Sequence, residues 1–300
     1  MKILLSFSKQ HFTPQEGVKL RHSAGILASL FYEAVKDMGD IDYVDWKDEV
    51  VGKEYDFMIS QPRQFSYLIQ NNKFKKTFCF LNIAESNYTK HVLHAEAARL
   101  GCKVSDCFAP MGHYEADYNF LIGNEFVQKQ YEQFIPKEKI TRLAYSMGMK
   151  DRPTALHLKE KTGKPIFLHL ATTLGLRKGF YRAVEIFKQL DIDADLWCVG
   201  RVQKERFWVD FAQDIQKDPR IRVLGWIENT DPRYTQILHQ ADYMIYPSLS
   251  EGMSGTAIEA IEAGCRPLYS QATGYDFNAT YDNNLFIKNV RQKVEEILRV

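Results

Sequence analysis

The sequence has no surplus of either charge: 39 lysines and arginines stand against 38 aspartates and glutamates in 300 residues. So balanced a chain offers no basic field to nucleic acid, and no such partner is expected. The one basic run, Lys73 to Lys76 in KFKK, reads as a solvated helix end rather than a docking patch. Long apolar runs are also missing. No stretch is long enough to span a bilayer, and the N-terminal MKILLSFSKQHFTP interrupts its apolar residues as a first strand does and a signal peptide does not. A cytoplasmic protein is expected, with peripheral association the only membrane contact the sequence permits. Cysteine is sparse: Cys79, Cys102, Cys107, Cys198 and Cys265 are odd in number and lack paired short spacing. That excludes a disulfide framework and favours a reducing compartment. Cys102 and Cys107 read as small buried hydrophobes rather than a zinc or redox pair. His91 and His94 lie three apart on a helical pattern but lack a third ligand at a telling distance, so they read as helix-surface residues and no metal is expected. There is no internal repeat and no low-complexity tract.

What the chain does have is alternation. KILLSF reads as a strand, and GVKLRHSAGILASLFYEAVKDMG as a helix stopped by glycine. IDYVDW, YDFMIS and KTFCFLNI follow as strands, TKHVLHAEAARLG as a helix, and ADYNFLIGN as a buried strand running into Asn124, the N-cap of EFVQKQYEQF. After KITRLAYSMGMK comes a break. Asp151 to Pro165, charged and holding two prolines and a glycine, reads as a linker. Beyond it PIFLHLA, ADLWCVG, IRVLGW, DYMIYPS and RPLYS are strands separated by single helices, and RQKVEEILRV closes the chain. Three hundred residues exceed the usual size of one core. Strands separated by single helices require parallel pairing. The expected class is therefore α/β, with two Rossmann-like domains, residues 1–150 and 151–300, facing across a cleft. In open parallel sheets a ligand lies beyond the carboxyl ends of the strands.

Two loops at such ends attract attention. After DYMIYPS comes LSEGMSGTAIEA, where Glu251 and Glu259 stand eight positions apart. Gly252 and Gly255 allow close approach of backbone to a ligand, Ser254 or Thr256 caps the next helix, and amides at that helix start favour phosphate or sugar oxygens. Local chemistry leaves two readings open: a ligand touched at both ends by carboxylates, or Glu259 and Glu262 as solvated charges on an amphipathic helix. After PIFLHLA comes TTLGLRKGF, where Arg177 and Lys178 open a helix. Arginine as a bidentate fork and lysine as a point charge suit a diphosphate, and a basic surface turn is the plainer alternative.

YPSLSEGMSGTAIEAIEAGCRPLYS resembles the E-x7-E block of retaining GT-B glycosyltransferases of the group-1 or family-4 type. LRKGF resembles their lysine–glycine phosphate loop. LWCVG, VLGWIEN and ILHQADYMIYPS follow in the same order, and ADYNFLIGNEFVQKQYEQFIPKEKITRLAYSMGMK resembles the end of their N-terminal domain. The resemblance implies a nucleotide-sugar donor held by the C-terminal domain, with Glu259 on the ribose and Glu251 beside the donor sugar. It puts backbone amides of Gly252, Met253, Ser254, Gly255 and Thr256 on sugar hydroxyls or phosphate. Lys178, with Arg177, would neutralise the diphosphate. It implies a retaining transfer to a saccharide or lipid-linked glycan acceptor taken by the N-terminal domain, with no cofactor and no metal required. The sequence departs from the pattern at Thr173, where the family has an arginine, and at Gly17, which alone stands for a glycine pair near the phosphates. Glu85 stands nearest the position of a family histidine that points at the donor sugar, and His113 is a further candidate for the cleft. Trp226 would neighbour the base, although packing is its plainer role. For this fold the chain is short, which implies a trimmed N-terminal domain or a curtailed return helix.

Overall fold

The computed structural model describes residues 1–18, 22–45, 47–104, 115–149 and 163–299. Up to residue 149 the described chain runs β1 (Lys2–Ser6), β2 (Phe12–Thr13), β3 (Gly17–Val18), α1 (Ser23–Val35), β4 (Asp40–Val44), β5 (Glu54–Ser60), α2 (Pro62–Asn71), β6 (Lys73–Leu81), α3 (Ser86–Leu100), β7 (Tyr118–Ile122), α4 (Glu125–Tyr131) and β8 (Ile140–Leu143). From residue 163 it runs β9 (Ile166–Leu174), α5 (Phe180–Lys188), β10 (Asp195–Val202), α6 (Arg206–Ile215), β11 (Ile221–Gly225), α7 (Pro232–Gln240), β12 (Tyr243–Tyr246), α8 (Gly255–Glu262), β13 (Arg266–Tyr269) and α9 (Asn283–Leu298). These elements form two compact units, one of residues 1–86, 108–146 and 276–300, the other of 87–107 and 147–275.

The first unit is built on a six-stranded sheet in the order β4-β1-β5-β6-β7-β8, parallel at every pairing. Its central strands are buried on both faces, as a parallel sheet covered by helices must be. Phe31 of α1 sits among Phe80 at 4.7 Å, Phe286 of α9 at 5.2 Å and Phe7 at 5.4 Å between ring centroids. Each ring taken fully out of water contributes roughly 2–3 kcal/mol. Several local expectations are corrected here. KFKK opens strand β6, where Lys73 and Lys75 pair with Glu54 and Asp56 of β5. The first helix begins at Ser23, because Gly17, at φ +72°, turns the chain into the small β2–β3 pair instead. Helix α2, started by Pro62 at its first turn, was not anticipated. Ile140–Leu143, which the sequence reading gave no element, is the edge strand β8.

The second unit has a five-stranded sheet in the order β11-β10-β9-β12-β13, again all parallel. The order reverses between β9 and β12, so loops leaving the carboxyl ends of those two strands diverge around a crevice. Neither unit is one continuous stretch of chain. Helix α3, from the first half of the sequence, lies with the second unit. Its Glu96 accepts hydrogen bonds from Arg182 of α5 at 2.8 and 3.1 Å. Helix α9, from the end of the sequence, lies with the first unit, where Arg291 donates to the Ala34 carbonyl of α1 at 2.9 Å. It runs through 16 residues. Most of the stretch expected as a linker, residues 151–162, lies outside the described residues.

Candidate functional site

Strands β9 and β12 pair only through Tyr243 with Phe167 and Met244 with Leu168. Beyond that, the ring of His169 stands in for the ladder and donates from Nδ1 to the Ile245 carbonyl at 3.0 Å. His169 is fully buried between Phe180 and Tyr246. Burial lowers its pKa to about 4, against the opposing pull of the Ile245 carbonyl and with a small further push from Lys178. The ring is therefore neutral and bridges the two strands as an uncharged floor where their pairing ends.

The two loops above that floor are brought together by glycine. Gly179 has φ +70°, and a Cβ there would lie 2.1 Å from the Pro247 carbonyl oxygen. On the other flank, a Cβ on Gly175 would meet the Gln203 side chain at 1.9 Å, and Gln203 Oε1 accepts from the Leu176 amide at 3.2 Å. The loop carrying Arg177 and Lys178 is thus seated between the ends of β10 and β12. Leu249 N donates to the Arg177 carbonyl at 2.9 Å, and Ser248 Oγ donates to the same oxygen at 3.0 Å.

At the seam the Glu251 carboxylate, 8% exposed, accepts from Lys178 Nζ and lies 3.1 Å from Arg177 Nη1. Ser248 Oγ stands 3.4 Å from the same oxygen. Burial works to raise the Glu251 carboxyl, but Arg177 and Lys178 outweigh it and hold it below the ordinary range. Two cations converge on one carboxylate, so these three groups together carry net positive charge in a mostly buried place. Such an arrangement is poor evidence for stability and marks a candidate anion site.

Glu259, the fifth residue of α8, is 2% exposed, and its Oε2 accepts from Tyr234 OH of α7. It is not a solvated surface charge. Glu262, one turn on, is engaged elsewhere and accepts from the amides of Met147 at 3.1 Å and Met149 at 2.9 Å. Between the two candidate glutamates, Gly252, Met253 and Ser254 are buried, and Gly255 and Thr256 open α8. The Ser254 amide donates to the Thr273 carbonyl at 3.3 Å, while its hydroxyl lies 3.0 Å from that of Thr256. Thr173, near the end of β9, is in register with Arg201 of β10. The Arg201 guanidinium lies over the half-exposed Trp226 ring at 4.4 Å, and Trp226 Nε1 donates to Glu228 at 2.6 Å. The second unit therefore gathers Lys178, Arg177, Glu251 and Ser248 around one seam, with Glu259 one turn into the helix that follows.

Other candidates stand apart. Gly17 and Glu85 belong to the first unit, and Glu85, 2% exposed, takes the Gln130 side chain on its amide at 3.2 Å. His113 lies outside the described residues, as does Cys107. His91 and His94 are exposed on α3, where with Asn87, Lys90 and Ala95 they line a shallow depression of about 460 Å³. Among the described residues no three His, Cys, Asp or Glu side chains gather as metal ligands, and no helix is long and apolar enough to cross a membrane. Asp-x-Asp spacing does occur at Asp40–Asp42, Asp191–Asp193 and Asp193–Asp195, but Asp40 and Asp195 open their strands and Asp191 and Asp193 precede β10, at the sheet edge opposite the carboxyl-end loops. Sequence reasoning missed Ser248, which lay inside the quoted block without a role, and Tyr234, for which the sequence carries no signal.

A family model described as glycosyl transferases, group 1, matches residues 164–300, just under half of the chain. No curated protein matches the sequence. Among solved structures, Anabaena Alr3699/HepE in complex with UDP and glucose aligns at 12% identity over 99% of this chain and 90% of that one, with a TM-score of 0.55. A glycosyltransferase from Rickettsia africae ESF-5 aligns at 14% identity over 98% and 87%, with a TM-score of 0.56. The N-terminal domain of Candida albicans trehalose-6-phosphate phosphatase aligns at 12% identity over 100% and 89%, with a TM-score of 0.54. At such identities the likeness establishes the fold, and function rests on the site. The chain has the α/β fold of the GT-B group, with two Rossmann-like domains. The match to group 1 glycosyl transferases, over residues 164–300, covers most of the second unit of that fold.

Proposed function

We propose that the protein transfers a sugar from a nucleotide-sugar donor to a saccharide or lipid-linked glycan acceptor, with retention of anomeric configuration and without a metal. The observation that carries this is the seam itself: Lys178 and Arg177 converging on buried Glu251 at the strand-order reversal, with buried Glu259 eight residues on. The HepE structure, with UDP and glucose bound, supports a donor of that class for this fold. In this reading the second unit holds the donor and the first unit takes the acceptor. Glu259 accepts from the ribose hydroxyls, Glu251 and the Gly252–Thr256 backbone flank the sugar, and Lys178 with Arg177 receives the diphosphate. As the bond from the anomeric carbon to phosphate oxygen breaks, negative charge grows on the diphosphate while the sugar becomes cationic. Two fixed cations at the leaving group lower that barrier with no reorganisation at the moment of reaction. The acceptor hydroxyl then attacks from the face the phosphate has left and gives its proton to the departing phosphate oxygen, so no separate nucleophile is needed.

The test is release of UDP from UDP-glucose, with the anomer of the transferred or hydrolysed sugar read by proton NMR before mutarotation. Retention with unchanged rates in chelator is expected, and an inverted product or a chelator-sensitive rate would overturn that part of the reading. Lys178→Ala should cut turnover at saturating donor at least a hundredfold. Near wild-type turnover would remove Lys178 from the site.

A further inference from the structure

Helix α3 comes from the first half of the chain, which the sequence assigned wholly to the acceptor side, yet it lies with the second unit. Two sets of contacts hold it there. At its first turn, Thr89 Oγ1 and Ser250 Oγ are 2.6 Å apart, and both residues are buried, at 1% and 3% exposure. Beside them, Tyr88 OH donates to the Leu249 carbonyl at 3.3 Å. Ser250 precedes Glu251 in the chain, and its carbonyl accepts from Arg177 Nη1 at 3.2 Å. Two turns further along, Glu96 takes a forked pair of hydrogen bonds from Arg182 and another from Arg99, which together hold its carboxyl at about 2. Arg182 lies four residues after Lys178, one turn into α5.

We infer that α3 is a brace between the two loops of the anion site, and that Thr89 is a positioning residue for Glu251. Its first turn grips the loop that carries the carboxylate, and its middle grips the helix that follows the lysine. The Thr89–Ser250 hydroxyl pair fixes Ser250, and Ser250 presents one carbonyl to Arg177 and the next side chain to Lys178. A loop lined by glycines at 252 and 255 has little stiffness of its own, so an external hold is needed to keep a carboxylate within a fraction of an ångström of its place. A helix that only filled space would need apolar contacts here, not a buried hydroxyl pair aimed at one residue of the loop.

This inference rests on the proposed function for its kinetic consequences but not for its structural one. Thr89→Val keeps the side-chain shape and removes the hydroxyl. Amide hydrogen exchange over residues 249–256 should then quicken at least tenfold relative to wild type, while β9 and β10 stay protected. With UDP-glucose as donor, kcat should fall at least tenfold, the Kd for free UDP should change less than threefold, and Thr89→Ser should restore both exchange and kcat. Should Thr89→Val fail to fold, Ser250→Ala tests the same pair from the other side and should reproduce the defect. Unchanged exchange in a folded variant overturns the brace, as does equal loss of kcat and UDP affinity with no rescue by serine. Wild-type protein that neither binds UDP nor acts on UDP-glucose would sink the functional reading and leave the exchange result to decide the brace.

Discussion

Glu251 and Glu259 are the same residue type eight positions apart, and their surroundings give them different electrostatics. Glu259 accepts from a phenol, a hydroxyl donor as a ribose is. Losing a charged acceptor to ribose typically costs about 1.5–3 kcal/mol. Under the proposed function Glu259→Ala should raise the Kd for UDP roughly 10- to 100-fold by calorimetry. Glu251 instead sits on the two cations that would receive the diphosphate. Replacing it with glutamine removes a competing anion, so Glu251→Gln should bind free UDP more tightly, by at least threefold, while turnover of UDP-glucose falls. If both variants weaken UDP in parallel, the two roles are wrong. In the sequence, Glu259 could not be told from Glu262 by local chemistry, because both are helix glutamates three apart. Only packing separates them: one lies against Tyr234, the other closes the backbone at Met147 and Met149.

At the scale of elements, the strands are legible because a buried parallel strand needs a continuous apolar run, and KILLSF, YDFMIS and PIFLHLA each supply one. Helix α2 is not, since PRQFSYLIQN is polar overall and declares itself only through the buried Phe65 and Leu68. His169 shows what a strand reading leaves out. In PIFLHLA it is one more strand residue, yet it takes a place in the β9–β12 seam. Its pKa is near 4 folded and about 6.5 unfolded. Above pH 6.5 neither state is protonated and the group contributes no slope. Between 6.5 and 4 the unfolded chain binds a proton that the folded chain refuses, so stability falls as pH drops, by up to about 3 kcal/mol at about 1.4 kcal/mol per pH unit. His169→Gln keeps a donor for the Ile245 carbonyl and cannot titrate. Urea midpoints measured from pH 7 to 4.5 should therefore fall less steeply for His169→Gln than for wild type. Parallel slopes would mean that His169 is solvated in the native protein.

At the scale of the whole molecule, strand–helix alternation revealed the class and the motif order underlies the proposed donor side, but neither could show which helix packs with which sheet. Helices α3 and α9 each join the unit built mainly from the other part of the chain, because Glu96 finds Arg182 and Phe286 finds Phe31. These are contacts between residues far apart in sequence, invisible to any local pattern. The consequence can be tested with fragments. Residues 151–300 would lack α3 and would expose the apolar face of α9, including Phe286, Val290 and Val294, each at most 1% exposed in the intact chain. Residues 87–107 joined through a short flexible linker to 147–275 would keep the second unit and leave out residues 108–146 and α9, which belong to the first. The second fragment should melt cooperatively, and the first should aggregate or bind hydrophobic dyes. The proposed donor residues other than Gly17 lie in the second unit, so UDP at a hundred times its Kd should stabilise the joined fragment by about 2.7 kcal/mol. For a chain of that size this is a rise of roughly 5–10 °C in Tm. The same shift should persist in chelator, since the anion is received by Lys178 and Arg177. A 151–300 fragment as stable and as responsive to UDP as the joined fragment would show that α3 is dispensable to the second unit.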